Sequence, residues 1–189
     1  MLLPVPALLA LAAALLRGGS LRHLAALPFR GSTYIFTSLA VQVLIYMPFV
    51  HTSALVLRWG GVIYIVTVCL ALAGALRNWS LGTAVRMATL GLALNAIVIT
   101  ANGGYMPVNV GALRAVHRDA RVREISSRHL YSNTRPASPS TRLGVLSDVI
   151  PIASPGGWGN VYSIGDLLIA AGGAALLYSA TRRPHADTF

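Results

Sequence analysis

Five apolar runs alternate with short polar breaks along most of the chain: Met1–Leu16, Thr33–Val50, Ala54–Leu76, Leu81–Ala101 and Val161–Ala180. Each approaches the roughly 20 apolar residues that a helix needs to cross a bilayer, with some shortfall made up by flanking side chains that snorkel. The pattern predicts an all-α, polytopic membrane helix bundle of about five transmembrane helices with one long extramembrane loop. Its organisation follows as a four-helix membrane region over 1–101, an extramembrane segment over 102–160 and a fifth transmembrane helix with a short tail over 161–189. Met1–Leu16 has no basic residue before it, so it reads as a retained first span rather than a secretory signal.

The breaks are tight. Pro48 with His51-Thr52-Ser53 closes the second run, and Arg77-Asn78-Trp79-Ser80 separates the third from the fourth. Between the fourth and fifth runs lies the only long polar stretch. Within it, Ala112–Arg128 has the residues of a short polar helix. Ser126–Arg142, rich in Ser, Arg, Pro and Thr, reads as a mobile loop, and order there would call for a partner protein to hold it. Residues 144–160, with Pro151, Pro155 and Trp158, read as an irregular stretch on the membrane rim, and Asn160 and Ser163 as caps of the fifth helix.

Composition agrees with the pattern. The chain of 189 residues is 55% hydrophobic and 11% charged, with a mean hydropathy of +0.65, too apolar for an ordinary soluble domain. All fifteen basic residues are arginine, and the net charge is +10. In a soluble protein that balance would point to nucleic acid. Here the arginines lie mostly between apolar runs, where topology and anionic headgroups account for them, and no nucleic-acid partner is expected. With the N-terminus outside, the cytoplasmic loops hold Arg17, Arg22, Arg30, Arg77, Arg86, Arg182 and Arg183, against Arg58 in the short outer loop. The expectation is a multi-pass protein of the bacterial inner (cell) membrane with its C-terminus in the cytoplasm. Cys69, the single cysteine, excludes an intrachain disulfide and reads as a small buried hydrophobe.

Few residues carry candidate chemistry. Gly91, Asn95 and Asn102 share one face of the fourth run, and Gln42 lies at similar depth in the second. Buried amides of this kind either hold helices together or line a ligand or ion path. Asp166, inside the fifth run, needs a partner, and Arg58 at the same end of the third predicts an Arg58–Asp166 ion pair. The small residues Ala170 to Ala175 leave a smooth helix face for close packing, within the chain or against another. No spacing marks a catalytic or metal site, and the five histidines are scattered. No motif implies a cofactor; a bound lipid, quinone or pigment would be compatible with the composition.

Asn102-Gly103-Gly104-Tyr105-Met106-Pro107-Val108 closes the fourth run, and Asn160-Val161-Tyr162-Ser163-Ile164-Gly165-Asp166-Leu167-Leu168-Ile169 opens the fifth. Together with Leu143 to Pro151, which contains Asp148, and with Arg17-Gly18-Gly19, these blocks resemble a bacterial family of integral membrane proteins of uncharacterised function. The resemblance reinforces the fold and implies no activity. Three functions remain in order. The first is a non-catalytic accessory or structural subunit of a larger membrane assembly, respiratory or photosynthetic, with lipids and other membrane subunits as partners. The second is a transporter or small-molecule binder using Gln42, Asn95, Asn102 and Asp166, and the third a membrane enzyme.

Overall fold

The computed structural model describes residues 4–126, 132–154 and 159–182. Among the described residues there are eight α-helices and four short strands: α1 (Pro4–Leu16), α2 (Leu21–Ala25), α3 (Ser32–Ile45), α4 (Ala54–Leu76), α5 (Thr83–Ala101), β1 (Met106–Val108), α6 (Val110–Ala115), α7 (Asp119–Ser126), β2 (Thr134–Pro136), β3 (Ile150–Ile152), β4 (Asn160–Tyr162) and α8 (Ile164–Arg182). The chain is mostly helical, but the all-α expectation misses two small sheets. β1 pairs parallel with β2, and β3 antiparallel with β4.

Three helices, α4, α5 and α8, are long and apolar enough to cross a membrane. At 1.5 Å per residue they span about 28–35 Å, against a hydrocarbon core of about 30 Å. α1 and α3 are apolar but reach only 13 and 14 residues. Pro48 and the turn from Tyr46 to Ser53 end α3 well before Val50.

The main contacts run α3–α4–α5–α8–α1, so the long elements form a row rather than a closed bundle. The crossing of α5 with α8 is the closest. A Cβ on Gly165 would press on the Gly91 carbonyl, and one on Gly172 would meet the Ala84 carbonyl at 2.6 Å. The small-residue face of α8 is therefore used within the chain. Cys69 on α4 is exposed, not buried, on the same helix face as the exposed Val62 and Val66.

The polar stretch folds over one end of the row as a cap. Asn102 ends α5, and Gly103 (φ +69°) and Gly104 (φ +90°) then take left-handed backbone. That conformation lets the Gly104 amide reach back to the Ile99 carbonyl at 2.8 Å. It also seats Gly104 flush on the Gly61 backbone of α4, where no side chain fits. Val108, Leu113, Val116, Ile125 and Val161 make a core of the cap's own. The expected single polar helix is instead α6 and α7, broken where His117 adopts a positive φ of 59°.

Much of the expected loop is tied down by this chain itself. β2 lies on β1, the Met106 amide donates to the Asn133 carbonyl at 2.7 Å, and the Asn133 amide donates to Tyr46 at the end of α3. Residues 127–131, Pro155 to Trp158 and the tail from Arg183 lie outside the described residues, and with them the expected interfacial Trp158.

Candidate functional site

Where the cap meets the row, polar side chains from five segments converge. The sequence Ser163-Ile164-Gly165-Asp166 starts α8 as a capping box. The Asp166 amide donates to Ser163 Oγ at 2.9 Å, and Asp166 Oδ2 accepts from the Ser163 amide at 3.4 Å. This reciprocal pairing fixes the Asp166 carboxyl at the cap end of the helix. Asn95, almost fully buried on α5, then completes it. Its Nδ2 donates to Asp166 Oδ1 at 2.8 Å, and its Oδ1 accepts from Ser163 Oγ at 2.9 Å. Gly91 and Gly165 allow the two helices to come close enough for these short side chains to meet.

The Arg58–Asp166 ion pair does not form. Asp166 is satisfied by Asn95 and Ser163, while Arg58 lies over the ring of its neighbour Trp59, 5.5 Å from its centroid. A local capping box costs less order than bringing a long arginine across the row, so it takes the carboxylate. Among the described residues the ion pair is Arg121–Glu124, out in the cap.

Asp148 stands close enough to Asp166 for the two charges to oppose one another. Its backbone is pinned on both sides, donating to the Pro107 carbonyl at 3.0 Å and accepting from the Asn109 amide at 2.9 Å. Its Oδ1 is buried and has no hydrogen-bond partner among the described residues. Burial, with the Asp166 charge second, pushes the Asp148 carboxyl up to about 8, against a smaller opposing pull from Arg121. Tyr64 of α4 closes the cluster, its hydroxyl accepting from Asn133 Nδ2 at 2.8 Å.

The other expected site residues lie elsewhere. Gln42 donates to Ser38 and to Thr67, both at 3.2 Å, and so ties α3 to α4 in the middle of the row. Asn102 turns its side chain along the backbone. It donates to the Val98 and Arg142 carbonyls and accepts from the Arg142 amide at 2.9 Å, clasping the cap to the end of α5. Of the proposed polar set, only Asn95 and Asp166 come together. Of the motif residues, Gly165 and Asp148 flank the cluster. Gly103, Gly104 and Pro107 shape the turn into β1, and Asn160 sits in β4 rather than at the helix cap, a role Ser163 fills alone.

Two participants in the cluster, and one residue outside it, were not legible beforehand. Tyr64 and Asn133 are separated by 69 positions and meet only through the β1–β2 pairing. Asn78, fully buried at the far end of the row, donates to the Arg30 and Gly74 carbonyls and accepts from the Arg30 amide. It repeats there the backbone clasp that Asn102 makes at the cap end. An asparagine just after an apolar run was the available signal in both cases.

Chemically, the cluster presents carboxyls and amides without a nucleophile positioned beside a base. Among the described residues no three His, Cys, Asp or Glu side chains are grouped to hold a metal ion. His51 contacts its own turn, its Nδ1 2.8 Å from the Met47 carbonyl.

No curated protein and no solved structure matches the chain. Residues 26–178 match a family of unknown function, DUF5317, which takes in the whole chain from the loop before α3 almost to the end of α8. The chain belongs to that family.

Proposed function

We propose that this protein is a non-catalytic integral membrane protein acting as an accessory or structural subunit of a larger membrane assembly, respiratory or photosynthetic. In this reading α1 and α3, tilted and helped by their flanking turns, complete five crossings. The N-terminus and the cap face outside, and the end of α8 faces the cytoplasm. One observation carries the subunit role. The helices stand in an open row, and only 22% to 39% of each long apolar helix is buried inside the protein. Leu9, Phe36, Val43, Val62, Val66 and Ile97 all stay exposed, leaving apolar faces for neighbouring subunits as well as lipid. The polar residues within the row are meanwhile spent on holding it together, which favours a scaffold over a transport path.

Purification of the native protein in mild detergent, with identification of all that accompanies it, tests the role. A stable multi-subunit complex is expected; a monodisperse single chain contradicts it. A second reading, a cation or small-molecule binder under the cap, draws on the buried, unpartnered Asp148 oxygen beside Asp166. It would be favoured if Na+, K+, Mg2+ or Ca2+ raised the melting temperature of the native protein but not of Asp148→Asn.

A further inference from the structure

Arginines at both ends of the row rest on aromatic rings. At the cap end these are Arg58 on Trp59 and Arg135 on Tyr105; at the other end they are Arg77 on Tyr34, Arg86 on Trp79 and Arg182 on Tyr178. Such girdles suit the two headgroup layers of a bilayer. One member differs from the rest. Arg17, just past α1, and Arg182, in the last turn of α8, both donate to the same Tyr178 hydroxyl oxygen, at 3.0 and 2.8 Å.

Two guanidinium groups are thus held side by side at an exposed position, with no carboxylate against either among the described residues. They repel one another, and the carbonyl ends of α1 and α8 offset only part of that repulsion. A guanidinium fork binds phosphate oxygens in pairs, and two forks facing one way match a phosphodiester better than any neutral group. The surface beside them matches the rest of a lipid. Ala171, Ala175, Tyr178 and Arg182 follow one another along one face of α8. The two alanines are exposed, so a smooth apolar lane leads from the arginines along the helix. Leu16, next to Arg17 at the end of α1, is 89% exposed.

We propose that Arg17 and Arg182, braced on Tyr178, form a binding site for the phosphate of an anionic phospholipid whose acyl chain lies along the Ala171–Ala175 lane. The site requires the membrane placement proposed above but not the subunit role. It also gives the basic end of the row a physical hold on the negatively charged leaflet.

The test is a thermal-shift titration of the purified full chain in detergent, with phosphatidylglycerol, phosphatidylcholine or inorganic phosphate added. Phosphatidylglycerol is expected to raise the melting temperature saturably, and the other two to leave it unchanged. In the double variant Arg17→Gln/Arg182→Gln, the apparent affinity for phosphatidylglycerol should fall at least tenfold, with the far-ultraviolet circular dichroism of the native protein retained. Arg58→Gln, at the cap end, should titrate like the native protein. An unchanged response in the double variant overturns the site. An equal loss in Arg58→Gln reduces it to bulk charge and also overturns it, and an equal shift with inorganic phosphate makes it an ion site rather than a lipid site. A chain that sediments with membranes yet shows no lipid preference overturns this inference alone and leaves the membrane placement standing.

Discussion

The helix row and the cap are built from the same chain but held together by opposite means. In the proposed membrane placement, leucine and valine of the row meet other helices and lipid on equal terms, so apolar burial discriminates poorly between neighbours. Position there is set by glycines that let backbones touch, and by Gln42, Asn95 and Asn78, which would otherwise face hydrocarbon unpaired. In the cap, water is the competing solvent. Val108, Leu113, Val116, Ile125 and Val161 therefore gain from burial in the ordinary way, and strand pairing with the Asn102 and Asn133 contacts fixes where that small core sits. The difference teaches that polar and small residues are the informative ones in the first region, and apolar ones in the second.

Breaking the row at its tightest point should have the largest effect. Gly165→Val forces branched carbons against the Gly91 carbonyl and Asn95, where backbone cannot give way. A loss of about 3 kcal/mol or more is expected, read as a large drop in melting temperature in detergent. Asn95→Ala removes the donor to Asp166 and the acceptor of Ser163 together. It should cost about 1–2 kcal/mol, near the upper range for polar contacts between membrane helices. In the cap, Asn133→Ala should cost about 1 kcal/mol and should act locally. Hydrogen exchange at the Met106 amide, which is bonded to the Asn133 carbonyl, would quicken while α4 and α5 stay protected; equal loosening of both regions would show that they are one cooperative unit.

Asp148 sharpens the same contrast through pH. Its carboxyl is neutral more readily in the folded protein than in the unfolded chain, so the folded state holds the proton more tightly. The associated stability is complete below about pH 4, falls as pH rises and levels off above about pH 8, by at most about 1.4 kcal/mol per pH unit. Asp148→Asn should flatten that slope. A slope that survives the substitution would place its origin in another group.

How much of this was legible depends on which solvent reads the residue. The three long helices follow directly from unbroken apolar runs, since hydrocarbon demands that length and composition. Asn95 and Asp166 stood out because a polar group in an apolar run needs a partner, and each proved to be the other's. The choice of Arg58 as the partner failed because charge and shared depth say nothing about which helices adjoin, and because Ser163, three residues before Asp166, offered a cheaper local bond. The cap was opaque for a different reason. Its strands are three residues each, and β1 finds β2 across an intervening pair of helices, so no local periodicity announces them. Its Ser, Pro and Arg content reads as loop while three valines, one leucine and one isoleucine dispersed along the chain supply the core.

The claim beneath all of this is that the row crosses a bilayer, leaving the cap on one side and the loop before α3 on the other. The most direct measurement is labelling of intact cells with a membrane-impermeant maleimide, in a Cys69→Ala background carrying a single cysteine at either exposed position, Ser140→Cys in the cap or Arg22→Cys in α2. The account predicts that the cysteine at 140 reacts in intact cells and that the one at 22 reacts only after the membrane is opened. Reaction of both from the same side, or recovery of the chain in the soluble fraction, would contradict it.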